Sequence, residues 1–139
     1  MTAQFGEILR YRDEDVSLCT EPLGSYFAMG GHNPGFQKIS TALHRGYVGN
    51  WEIVDGRLYL VKIEATLMSL REATLEDVFP GFGDRVFAHW YSGTLRIPRG
   101  KLLRYVHGGW GSVYERDEMV PIERGVVRGS WVRHNSLED

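Results

Sequence analysis

The sequence predicts a mainly β single domain, an antiparallel sandwich or partly open barrel with one or two short helices. Three observations carry that expectation. Short runs rich in Val, Ile, Leu, Tyr and Trp recur along the chain, and most of the 17 glycines fall between them. Several runs alternate apolar and polar residues, the period of a strand with one buried face. Asp55-Gly56 joins two such runs, and a two-residue type I′ turn needs the positive φ angles that Asp-Gly tolerates.

In chain order, residues 5–11 alternate, with Phe5, Glu7, Leu9 and Tyr11 on one face. Asp13-Glu14-Asp15 reads as an acidic turn and Val16-Ser17-Leu18 as the returning arm of a hairpin. From about residue 20 to 45 the Gly, Pro and Asn content reads as a long irregular loop, with a turn of helix within 36–43. Such loops in compact domains are often functional. Residues 47–54 and 57–63 form the hairpin around Asp55-Gly56. Residues 74–79 form a short helix that Thr74 and Asp77 cap and Pro80-Gly81 ends.

Residues 86–97 and 101–107 read as two strands around a turn at Pro98-Arg99-Gly100. Segments 112–115, 119–122 and 125–132 complete about eight strands, and the polar residues from His134 read as frayed. Residues 47–58 and 91–102 share Tyr, Gly, Ile, Gly and Leu at an offset of 44, a likeness that glycine-turn hairpins have in general. Hairpins at 47–63 and 91–107 are therefore expected at the centre. Trp51, Ile53, Leu58, Leu60, Val86, Ala88, Trp90, Leu95 and Ile97 are the expected core.

Composition narrows the class. With 139 residues, 42% hydrophobic and 24% charged, residues 1–139 make one ordinary domain. At this size roughly two-thirds of the unfolded surface can be buried without a staple. The single cysteine, Cys19, excludes an intramolecular disulfide and points to the cytoplasm. Residues 1–7 lack the basic segment and apolar run of a signal peptide. No apolar stretch reaches the ~20 residues needed to cross a bilayer. The net charge of −2 argues against general nucleic-acid binding. It is unevenly spread: residues 1–84 carry −5, residues 85–114 carry +5 with no acid, and residues 115–139 carry −2.

That basic stretch is the first candidate site. Arg96, Arg99, Lys101 and Arg104 lie among Trp90, Tyr91 and Trp110, and guanidinium groups beside aromatic rings can hold an anion or an acidic protein face. The competing reading is a solvated hairpin face whose cations pair with acids such as Glu52, Glu64 or Glu115. The second candidate is the long loop, bracketed by His32, His44 and Arg45. Its competing reading is a flap that buries Tyr26, Phe27, Met29 and Phe36. The five histidines show no i, i+2 or i, i+4 pairing and there is no Cys-x-x-Cys, so no metal or other cofactor is expected. Cys19 reads as a small buried thiol. Gly108-Gly109-Trp110-Gly111 is followed by a strand rather than a helix, which rules out a phosphate loop.

Asp55-Gly-Arg-Leu-Tyr-Leu60, Val78-Phe79-Pro80, Val86-Phe-Ala-x-Trp90, Ser92-Gly-x-Leu-x-Ile-Pro-x-Gly-Lys101 and Ser112-Val-Tyr-Glu115 carry a resemblance over residues 45–127. The chain resembles a group of small, uncharacterised bacterial β-rich proteins. The resemblance implies a bacterial, single-domain context and no particular activity.

The leading functional expectation is a non-catalytic protein-interaction module of the immunity or accessory type, its partner another protein. An alternative is a small anionic ligand or nucleotide held by the four cations and the three aromatic rings. A third is an enzyme using His32 or His44 with Arg45 as an oxyanion clamp. Exposed strand edges leave a homodimer open.

Overall fold

A computed structural model describes residues 6–38, 40–106 and 110–136. Its strands are β1 (Glu7–Tyr11), β2 (Glu14–Leu18), β3 (Tyr47–Val54), β4 (Arg57–Ala65), β5 (Val86–Phe87), β6 (Gly93–Arg104), β7 (Val113–Glu123), β8 (Val126–Val127) and β9 (Trp131–His134). Two short helices, α1 (Pro22–Ala28) and α2 (Leu75–Val78), and a 3₁₀ turn at Thr41–Leu43 interrupt them. The sheet runs β2-β1-β3-β4-β8-β7-β6, with β5 added on β4 and β9 on β7. All pairs are antiparallel except β1 with β3.

The sheet is a strongly curled half-barrel, and it is mixed rather than purely antiparallel. Its two ends meet: the Cys19 N–H donates to the Arg96 carbonyl at 2.9 Å, and Arg99 Nη1 lies 2.7 Å from Glu14 Oε1. The curl turns one face of every long strand inward. Leu9, Leu18, Trp51, Leu58, Leu60, Leu95, Ile97 and Val120 are each 1% exposed or less. Of the expected core only Ile53 and Trp90 are partly open.

The hairpin at Asp55-Gly56 forms as expected, with φ of 51° and 73°. The first turn moves by one or two residues. Arg12 and Asp13 take the positive φ angles, and Glu14 and Asp15 already belong to β2. Residues 22–28 are helical where a loop is expected, because Pro22 suits the first helical position while Gly24 blurs the apolar period.

The larger correction concerns residues 86–107. Pro98-Arg99-Gly100 is not a hairpin turn, since β6 continues through it and pairs with β7 on both sides. Gly100, at φ 81°, sits at a bulge beside Glu115, where a Cβ would lie 2.9 Å from the Glu115 Cβ. The likeness between residues 47–58 and 91–102 is therefore not one hairpin written twice. His134 is not frayed either: β9 pairs with β7, and the Asn135 N–H donates to the Glu115 carbonyl at 2.9 Å. Phe5, His107, Gly108 and Gly109 lie outside the described residues.

Helix α1 and the segment after α2 close one end of the core with aromatic rings. Phe79 stacks on Trp90 at 5.4 Å, Tyr26 lies 4.6 Å from Phe79, and the Trp90 Nε1 donates to the Pro22 carbonyl at 2.8 Å. Phe27 and Phe36 join them against Tyr47, whereas Met29 is 65% exposed.

Candidate functional site

The basic stretch divides. Arg96 lies over the buried Asp117, with Nε 3.0 Å from Oδ1, and its other nitrogens donate to the carbonyls of Trp110 and Ser112. Arg99 bridges Glu14 and Glu118, at 2.7 and 3.1 Å. Arg133 and Asn135 donate to the second Asp117 oxygen at 2.6 and 3.0 Å, and these donors hold its carboxyl below the usual range against the cost of burial. These pairs join β2, β6, β7 and β9 along the line where the sheet closes. Trp90 and Tyr91 belong to the core. Only Lys101 and Arg104 remain as exposed cations of the candidate set.

Arg96 pairs with residue 119, yet it reaches the carbonyls of residues 110 and 112. The carbonyls of Trp110 and Ser112 therefore lie back against Arg96, and the β6–β7 register shifts between Arg99 and Arg104. Trp110 also comes to Arg45, with the guanidinium carbon 5.5 Å from the indole ring centre and 5.4 Å from that of Tyr47.

Arg45 itself is the centre of a polar site that the loop reading only brackets. Its side chain is 9% exposed, and Nη2 donates to Glu7 Oε2 at 2.7 Å. Glu7 is fully buried and also accepts from the Gly49 N–H at 2.8 Å and from Trp51 Nε1 at 3.2 Å. Gly49 is fixed by this contact, because a Cβ there would stand 2.5 Å from Glu7 Oε1. Glu21 Oε1 lies 3.7 Å from Arg45 Nε, too far for a hydrogen bond. Burial pushes the Glu7 carboxyl above the usual range while Arg45, Gly49 and Trp51 draw it back. Burial also raises Glu21 and, with the two carboxylates, raises the Tyr47 phenol.

Among the described residues four buried side-chain atoms have no hydrogen-bond partner: Arg45 Nε, Arg45 Nη1, Trp110 Nε1 and Thr20 Oγ1. Native proteins keep few such groups, and two of these four belong to the Arg45 guanidinium. His32 and His44 are both exposed, and His44 lies close enough to Glu21 to act on its carboxyl together with Arg45. Burial raises the Cys19 thiol, the reverse of what an activated nucleophile needs. Among the described residues no group of three or more His, Cys, Asp or Glu side chains is placed to hold a metal, and no helix is long and apolar enough to cross a membrane.

Glu7 and Trp51 are the site residues that the candidate list misses. A signal was present, since Glu7 is the one acid on the otherwise apolar face of Phe5, Leu9 and Tyr11. Compared with family models, curated proteins and solved structures, the chain matches none.

Proposed function

We propose that the chain is a non-catalytic binding module of the immunity or accessory type, in a bacterial setting, and that its partner is a protein with an acidic contact surface. One observation carries this reading. Toward the end of β6, Leu102 and Tyr105 are 47% and 51% exposed beside the exposed cations Lys101 and Arg104. Arg96 and Arg99 are taken up by the seam, whereas neither Lys101 nor Arg104 has an ion pair among the described residues. An apolar and aromatic pair framed by cations has the character of an interface centre, and the positive rim steers an acidic partner. Among the described residues the second edge of β6 bonds to the β2 end of the sheet at Arg96 and Arg99, so past Gly100 an extended acidic segment can add backbone hydrogen bonds.

The test is affinity capture from a lysate of the bacterial source, at low and high salt, with the wild type and with K101E/R104E. A stoichiometric protein retained by the wild type, released by salt and lost from the variant is the expected result. Retention by both forms, or capture of no stoichiometric protein, refutes the proposal.

A further inference from the structure

We propose that copies of the chain associate head to tail, the Lys101–Arg104 end of β6 in one copy seating in an acidic groove on the outer face of β3 and β4 in the next. It rests on the same exposed end of β6 as the docking surface above, and needs no foreign partner.

Strand register builds the groove. Val48 stands opposite Glu64 across β3 and β4, and Thr66 stands opposite Glu72 just after β4. Opposed residues share a face, as do residues two apart on a strand, so these four side chains point outward together. Leu43 and Leu70 join them around a groove of about 510 Å³, whose lining holds two carboxylates and no cation among the described residues. Glu64 accepts from Asn50 Nδ2 at 2.8 Å, and Arg71, beside Glu72, is taken by Asp77 at 2.6 Å. Lys62 shares the face of Glu64, yet among the described residues it forms no ion pair with either acid. Leu70 is 77% exposed at a φ of 70°, a left-handed conformation that a leucine rarely takes. An apolar side chain held in that way at the lip of a groove suits a surface that is covered.

Charge selects the occupant. Lys101, Leu102 and Arg104 present an exposed apolar side chain between two cations, and the groove presents apolar walls between two carboxylates. Glu115 does not cancel the cations, because it accepts from the Lys101 backbone N–H at 2.7 Å and lies 4.0 Å from Arg116. In the sheet β6 is not a neighbour of β3 or β4, so the two surfaces meet between copies rather than within one. A contact between two different surfaces does not close on itself, and copies add in a row. So small an interface binds weakly, with a dissociation constant on the order of 100 µM.

The experiment is sedimentation velocity of the purified chain alone, up to about 1 mM, at low and high salt. With no other protein present, its result is separate from the capture of a partner out of a lysate. A concentration-dependent rise in mean mass at low salt, reversed by high salt, is expected. E64K/E72K and K101E/R104E should each weaken association about tenfold or more, because like charges then face each other. An equimolar mixture of the two variants should restore it, since each carries the surface that complements the other's reversed charges. Leu70→Gly relieves the left-handed conformation, so it should hold or raise the thermal midpoint while weakening association about tenfold. A wild type that stays monomeric overturns the proposal. So does a mixture that fails to associate, or association that E64K/E72K or L70G leaves unchanged.

Discussion

Replacing Glu7 by glutamine removes a charge from the interior and leaves the shape of the side chain. The amide oxygen can still accept from Gly49 or Trp51, at 2.8 and 3.2 Å in the wild type. What it cannot do is neutralise Arg45, which is 9% exposed and already holds two nitrogens without a partner. Breaking a buried ion pair from one side costs about 3–5 kcal/mol, because the remaining charge stays desolvated. For a domain of this size that corresponds to a fall of about 10–15 °C in thermal midpoint. The assay is urea unfolding of the wild type, E7Q, R45M and E7Q/R45M. The double variant should recover about 2–3 kcal/mol relative to the sum of the single losses, since no charge is then stranded. A loss below about 1 kcal/mol in E7Q, or losses that add within about 0.5 kcal/mol, would refute the view that Glu7 and Arg45 form one buried unit.

The remaining expectations concern the same packing and the seam. Gly49→Ala should cost about 1–3 kcal/mol by overpacking, read by urea unfolding, because its Cβ would stand 2.5 Å from Glu7 Oε1 and 2.7 Å from Trp51 Nε1. Asp117→Asn should cost about 2–3 kcal/mol in the same assay, less than a fully buried pair because Arg133 is half exposed. Asp77 is held down to about 2 by Arg71 and by the Thr74 N–H. A depressed carboxylate contributes stability that is complete above its ordinary value of 3.8 and is lost as pH falls toward 2, so the urea midpoint should drop over that window and drop less in D77N.

The parts of the fold that the sequence announces are those with local causes. Alternation with an Asp-Gly turn makes the β3–β4 hairpin whatever surrounds it, and Thr74 with Asp77 makes α2. The failures have non-local causes. Pro98-Arg99-Gly100 has the composition of a turn, but the partner of β6 is β7, whose register holds Ile97, Pro98 and Arg99 opposite Glu118, Asp117 and Arg116. Helix α1 is stabilised by Phe79, Trp90 and Tyr47 from distant positions rather than by its own seven residues. The site follows the same division. Arg45 stands out in its loop, and Glu7 is visible as an acid on an apolar face, but their meeting depends on the parallel β1–β3 pair, for which no short-range signal exists.

The uneven charge of the sequence also acquires a physical meaning. The block of +5 is largely β6, and its neighbours in the sheet, β2 and β7, supply acids from the negative blocks. Arg99 joins Glu14 to Glu118, Arg96 covers Asp117, and Arg12 reaches Glu118 at 3.1 Å from the β1–β2 turn. A curled sheet whose ends meet through one described backbone hydrogen bond gains its closure from such pairs, which are worth more here than on an open surface because Asp117 and Glu118 are buried. Segregation of sign along the chain is therefore mostly structural. It becomes a functional argument only for the cations left over when the seam is satisfied. Those are Lys101 and Arg104, just past the bulge at Gly100 and beside the exposed Leu102 and Tyr105, so charge reversal there should spare the fold and fall on binding alone.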